Sequence, residues 1–417
     1  RHKKALSASI PGDEGCFIVG HCLQMEMDPT IAPHRILEKA RRAVREDHAQ
    51  IVKLWFLWEN VYVPTNGETL KTILDSQEEI VKGDEYEIFV PWLGRGLLIS
   101  TGDKWRSRRK MLTPTFHFSQ LDGYVATMNR HAKICVDLLE HRGDGLIDMY
   151  RVTKMCALDI ICETTMGKVL DSQQQPDQPY VTAIVKLMNL GTAIAMKPYL
   201  WPHFMRPVVG RKREWRELLE SAKLLQVIFE RAQSLAKGEV EPEKRAFLDL
   251  LLEEKQRQNL DDEDIREEVD TFMFEGHDTT SAGLGWAVWC FACHPEIQQR
   301  AFEEVAKVFS ADQDRDLTRD DMGKLIYLER CIKESMRLFP PVPFVTRQLH
   351  SDFRAGDFLL PKHSTVNIAP FVVHRNESIY PNAMCYDPDN FLPERAAARH
   401  PFDFVPFSAG PRNCIGE

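Results

Sequence analysis

Near the end of the 417-residue chain, Phe407-Ser408-Ala409-Gly410-Pro411-Arg412-Asn413-Cys414-Ile415-Gly416 sets one cysteine inside a short turn. A thiol ligates a metal or attacks an electrophile only as the thiolate, and backbone N–H groups aimed at the sulfur favour that form. A tight turn supplies such groups, and Gly410 and Gly416 permit it on either side of Cys414. Arg412 carries a planar fork of donors suited to a carboxylate. Phe407 stands where it can shield the sulfur from water. The competing reading of any one cysteine is a packed structural residue, and the other nine cysteines are read that way. Cys414 differs because the whole pattern Phe-x-x-Gly-x-Arg-x-Cys-x-Gly surrounds it.

A second segment, Glu268-Val269-Asp270-Thr271-Phe272-Met273-Phe274-Glu275-Gly276-His277-Asp278-Thr279-Thr280, lies in the middle of a helical pattern. Polar groups inside a buried helix need partners or a task. Gly276 weakens the helix and would let a ligand approach its backbone, while Thr279 and Thr280 are poor helix formers. Threonine hydroxyls can bond back to helix carbonyls or release them. Asp278 and Thr279 form an acid–alcohol pair able to relay protons. The bland alternative is a surface-facing polar patch with a chance glycine.

Three further pairs have helical or strand spacing. Glu334 and Arg337 sit at i and i+3 on one helix face, just before the breaker Phe339-Pro340-Pro341-Val342-Pro343. By spacing alone this is a surface ion pair of small worth. Trp105 and Arg109 sit at i and i+4 on a short basic helix, beside Arg106, Arg108 and Lys110, which read as a solvated face. Arg347 follows the proline break.

Taken together and in order, these segments resemble the cytochrome P450 family, over nearly the whole chain from Pro11-Gly12 to Gly416. The Cys414 loop is similar to that family's haem-binding signature. The resemblance implies haem b, with Cys414 as the axial iron ligand and Phe407, Arg412 and Gly416 around it. It implies that Trp105, Arg109 and Arg347 hold haem propionates. Asp278 and Thr279 would deliver the protons that split the O–O bond. Glu334 and Arg337 look like two members of the family's Glu-Arg-Arg triad. The third place by spacing is Asn390, in Pro388-Asp389-Asn390-Phe391, so Arg395 of the following Pro393-Glu394-Arg395 is expected to complete the triad. Phe-Glu-Gly-His-Asp-Thr-Thr resembles the family-four, fatty-acid ω-hydroxylase branch. By that likeness Glu275 is a candidate for an ester link to a haem methyl, which would steer attack to a chain terminus.

The elements that must position these groups are mostly helical. Patterns of apolar spacing predict helices over 33–46, 103–112, 122–140, 148–165, 180–196, 211–237, 261–293, 296–309 and 322–339. Strands are predicted over 51–58, 61–63, 358–360 and 365–368. The expected fold class is mainly α with small β-sheets, with haem between the long central helix and the cysteine loop, in one domain over 1–417. Residues 86–98 are expected to roof a pocket, residues 187–205 to form a lid or access channel, and Phe344 and Val345 to line the strand side.

Acidic residues outnumber basic ones, 62 to 53, so no basic footprint argues for nucleic acid. Ten scattered cysteines give no disulfide framework; Cys290 and Cys293 have CxxC spacing but fall in a helical pattern, which argues against a zinc site. No apolar run is long enough to span a bilayer. By composition the basic start Arg1-His2-Lys3-Lys4 reads as a solvated terminus, and it would also suit the cytosolic side of a missing membrane anchor; the segment beyond the cysteine loop is likewise expected to be missing. The resemblance implies an endoplasmic reticulum enzyme facing the cytosol. Its partners would be NADPH–cytochrome P450 reductase, cytochrome b5 and a lipid substrate, with membrane association but no nucleic acid. Two alternatives stand beside it. A haem-thiolate isomerase or lyase would need neither O2 nor reductase, and hence no Asp278–Thr279 relay. A truncated, non-catalytic product would bind no haem.

Overall fold

The computed structural model describes residues 9–12, 15–16, 20–21, 31–56, 59–116, 118–141, 145–178, 181–183, 185–186, 246–258, 260–310, 312 and 314–417. In chain order, the elements used below are α1 (Ala32–Asp47), β1 (Ile51–Phe56), β2 (Glu59–Pro64), α2 (Gly67–Leu74), α3 (Gly102–Leu112), α4 (Phe118–Glu140), α5 (Met149–Ile161), α6 (Phe247–Gln258), α7 (Asp262–Cys293), α8 (Pro295–Val308), α9 (Ile326–Leu338), β3 (Val345–Gln348), β4 (Phe353–Ala355), β5 (Phe358–Leu360) and β6 (Thr365–Ile368). The architecture is mainly α with small sheets, as expected. The helices predicted over 180–196 and 211–237, and the apolar stretch 187–205, fall almost entirely outside the described residues. No described helix is long and apolar enough to cross a membrane.

The chain gathers into two compact units. The first comprises the described residues of Arg1–Ile88 and Arg330–Glu417. Its four-stranded sheet has the order β1-β2-β6-β3. β1 and β2 form a hairpin in register from Ile51↔Pro64 to Phe56↔Glu59, β2 pairs in parallel with β6, and β6 pairs antiparallel with β3. Strand alternation sends side chains to both faces, and both are covered. Ile51, Tyr62, Val366 and Ile368 join Leu70, Ile73 and Leu74 of α2 in one core. Val52, Leu54, Val61 and Val63 meet Leu37, Ala40 and Ala43 of α1 in another. β4 and β5 form a separate hairpin.

The second unit comprises Phe89–Leu190 and Gly210–Glu329. Its centre is α7, 32 residues long, or about 48 Å at the usual helical rise. Asp261 and Asp264 begin it with a reciprocal capping box. α5 is capped by Asp148, whose carboxylate accepts the Arg151 N–H at 3.1 Å, and packs along α7. It ends in a wide turn over Cys162–Met166, closed by Gly167 at φ 65°. Thr318 and Asp321 cap a separate short helix, Arg319–Met322, so the helix predicted from 322 starts only at Ile326.

Candidate functional site

In the second unit the acid–alcohol segment forms unbroken helix. Thr279 Oγ1 donates to the Glu275 carbonyl at 2.6 Å, the back-bond available to a helical threonine. Asp278 Oδ1 accepts the Tyr150 hydroxyl at 3.0 Å and lies 3.5 Å from Lys154 Nζ, both on α5. Its side chain remains 31% exposed, so this carboxylate touches solvent while Thr279 is held to the backbone. The Tyr150 hydroxyl is pushed well above its usual range, first by burial and then by the Asp278 charge. It therefore stays a donor to Asp278. His277 is buried, with Nδ1 2.5 Å from the Met273 carbonyl, and burial pushes its pKa down to about 4. The imidazole is neutral at pH 7.

Gly276 departs from the expectation that it opens the helix to a ligand. A Cβ there would come within 2.6 Å of Ile161 Cδ1, so this glycine serves close packing of α7 on α5. Glu275 is half-buried on the same helix.

On α3, Trp105 is buried and Arg109 half-buried one turn apart. Arg106 and Lys110 are exposed, as a solvated face requires. Arg108 is not: it is buried, ion-paired with Asp264 of α7, and its Nε lies 3.7 Å from Glu268 Oε1. Neighbouring Lys104 donates to Glu267 at 2.6 Å. Composition made Arg108 one of a crowd of charges; only the partner helix singles it out.

In the first unit the cysteine loop closes as a turn. Cys414 N–H donates to the Phe407 carbonyl at 2.9 Å, and a short 3-10 helix, Gly410–Arg412, lies between them. Gly410 has φ 70°, and a Cβ there would overlap the Leu74 carbonyl at the end of α2. Glycine is thus required twice over, by dihedral and by space. Arg412 is buried, Phe407 and Cys414 are exposed, and so is Gly416, at whose Cβ position nothing lies within 4 Å.

Arg347, on β3, is 2% exposed. Its Nη1 donates to the Thr346 carbonyl at 2.9 Å, burial depresses its pKa, and it has no carboxylate ion pair among the described residues. A buried guanidinium calls for an anion, and a haem propionate is one. With a cysteine turn in the same unit, the residues present fit haem.

Glu334 and Arg337 are both fully buried. Their bidentate contact is 2.7 Å on each arm, and the remaining Arg337 N–H groups reach the carbonyls of His374, Ala383 and Cys385 at 2.7–2.9 Å. Burial raises the Glu334 pKa against the opposing pull of Arg337. The expected third member is corrected here. Arg395 lies exposed on the helix Pro393–Ala397 and pairs with Asp387 at 3.1 Å. Asn390, 3% exposed, donates to Glu334 Oε1 at 3.1 Å instead. The turn Pro388–Phe391 brings Asn390 close enough for a short side chain to reach the carboxylate.

Comparison with known proteins agrees with this inventory. The family described as "Cytochrome P450" matches residues 10–417. "Cytochrome P450 4V2" of Pongo abelii is 40% identical, over 96% of this chain and 78% of that protein. "Cytochrome P450 4c21" of Blattella germanica is 37% identical, over 100% of this chain and 85% of that protein. "Cytochrome P450 4c3" of Drosophila melanogaster is 36% identical, over 98% and 80%.

Proposed function

From the premise that the chain belongs to the cytochrome P450 family and is a haem monooxygenase, we propose that it hydroxylates the terminal region of a fatty acid or similar lipid. Electrons would come from NADPH through a reductase, with cytochrome b5 as an accessory donor. When bound, haem supplies the iron centre at which O2 is activated. Cys414 is the proposed thiolate ligand, from a turn whose backbone is constrained at Gly410. Arg347, Trp105, Arg109 and Arg412 are assigned to the propionates, and Phe407 and Gly416 to the walls of the cysteine loop. Glu275 is the proposed site of an ester to the macrocycle.

The observation that carries the oxygenase reading is the state of Asp278. It is part-exposed, braced by Tyr150 and Lys154, and adjacent in sequence to a threonine whose hydroxyl rests on a helix carbonyl. A carboxylate in contact with solvent can collect protons, and a rotating hydroxyl can pass them inward. An isomerase or lyase has no use for that pair. The residue wording at Phe274–Thr280 supports the fatty-acid preference. The protein would sit on the endoplasmic reticulum membrane with its catalytic part toward the cytosol.

The test is reconstitution of the haem-loaded full-length protein with a reductase, NADPH and saturated fatty acids of graded length. Terminal hydroxylation that needs both NADPH and O2 is expected. Turnover of a hydroperoxide without either would favour the isomerase or lyase reading. Haem that resists acid–acetone extraction, and becomes extractable in Glu275→Ala, is expected for the ester.

A further inference from the structure

Helix α7 begins with more acid than its caps require. Glu263, Asp264, Glu267, Glu268 and Asp270 occupy its first turns, and Glu267, Glu268 and Asp270 are buried. Two of them hold the preceding loop by its backbone. Glu267 Oε1 accepts the Arg95 N–H at 2.6 Å, and Glu268 Oε2 accepts the Leu97 N–H at 3.0 Å. Close approach is built in at Gly96, where a Cβ would lie 2.6 Å from both the Glu267 carbonyl and Thr271 Oγ1. The same two carboxylates meet α3. Lys104 donates to Glu267, and Arg108 reaches between Asp264 and Glu268. One helix of acids therefore grips both the loop expected to roof the pocket and the helix that carries Trp105 and Arg109.

Stability alone does not explain Glu268. It is 0% exposed, its Oε1 makes no hydrogen bond among the described residues, and burial pushes its pKa up to about 7. The charged groups around it are Arg108 and Lys104 from α3 and Glu267 from α7 itself. Buried ion pairs of this kind commonly give no more stability than apolar residues of like volume. Their attested use is to fix one arrangement among several.

We propose that Glu268 is a positioning residue: its carboxylate, seated between the Leu97 amide and the Arg108 guanidinium, holds the loop 94–100 and α3 in one register on α7. Trp105 and Arg109 are thereby set for the propionates; this last clause rests on the haem reading above.

The experiment uses the haem-loaded protein in a Glu275→Ala background, where no ester can hold the haem, and two readouts, amide hydrogen exchange over 94–112 and the rate of haem transfer to an apo-globin acceptor. At pH 8, Glu268→Gln should speed exchange over 94–112 by about tenfold, the size of one lost charged hydrogen bond. Haem transfer should accelerate in parallel. Should Glu268→Gln fold poorly, the paired change Arg108→Met with Glu268→Leu, which removes both charges together, should fold and show the same faster exchange. Exchange over 94–112 that keeps its wild-type rate in these variants overturns the latch. A changed exchange rate with unchanged haem transfer upholds the latch and removes Trp105 and Arg109 from the propionates.

Discussion

Asn390 donates its side-chain amide to the same Glu334 oxygen, at 3.1 Å, that accepts the Asp387 N–H at 2.9 Å. The carboxylate thus faces Arg337 on one side and two neutral donors on the other, with none of it exposed. Removing Arg337 leaves that carboxylate buried without its cation. Arg337→Ala should therefore lose about 3–5 kcal/mol, enough to prevent folding of a marginal protein. Asn390→Ala should lose about 1–2 kcal/mol, one hydrogen bond to a charged group. Arg395→Ala should change stability by less than about 0.5 kcal/mol, since its pairing with Asp387 is exposed. Urea unfolding midpoints give the order; a loss at Arg395 larger than at Asn390 would restore the triad in its expected form.

The buried acids of α7 give a pH dependence whose sign is opposite to that of ordinary carboxylates. Burial raises Glu268 and Asp270 to about 7 from their ordinary values of 4.5 and 3.8. For a group whose folded value is raised, its stabilising contribution is full below the unfolded value and is lost as pH rises through the folded one. Glu268→Gln should match the wild type near pH 5 and become more stable by roughly 2 kcal/mol at pH 8. Unfolding curves across that range test this. A gap that closes as pH rises would contradict it. Global stabilisation together with local loosening over 94–112 separates positioning from plain packing.

Thr279 rests its hydroxyl on Glu275, and the relay reading needs that hydroxyl to turn. Thr279→Val keeps the shape and removes the proton. Hydroxylated product per NADPH consumed should fall by about tenfold or more, with Thr279→Ser restoring most of it. Measuring both quantities in one reaction distinguishes a lost relay from slower electron delivery. An unchanged ratio would take Thr279 out of the relay.

Gly410 stands at φ 70° against the Leu74 carbonyl. Gly410→Ala must move one or both, and a strained backbone of this kind amounts to about 1–3 kcal/mol. The melting temperature should drop, and the red-shifted carbon-monoxide band of thiolate ligation should be lost before the rest of the fold unravels. Simultaneous loss of that band and of helix content would instead make Gly410 a fold residue only.

Much of this was legible in the sequence where local pattern and tertiary role coincide. The strands β5 and β6 fall where β-branched and aromatic runs put them, and α7 starts and ends within a residue of its predicted bounds. The cysteine turn announces itself through its glycines. Other features depend on partners that no spacing reveals. α2 opens on Asn66-Gly67, a turn signal, yet Asn66 caps it by accepting the Thr69 N–H at 3.0 Å. Arg108 differs from Arg106 only in what lies opposite, and Tyr150 and Lys154 matter because α5 packs on α7 at Asp278. Asn390, not Arg395, reaches Glu334 because the turn shortens the distance a side chain must span, which residue charge and spacing do not reveal. A cue was available for Glu268 and Asp270: acids inside an apolar helical pattern need partners.

Everything proposed above depends on the Cys414 sulfur as the ligand of the haem iron. The most direct measurement of that ligation is the difference spectrum of the reduced, carbon-monoxide-bound full-length protein, taken for the wild type and for Cys414→Ser. The red-shifted band of a thiolate-ligated haem is expected in the wild type and its loss in the variant, with haem still bound. The same band in Cys414→Ser would show that another residue holds the iron.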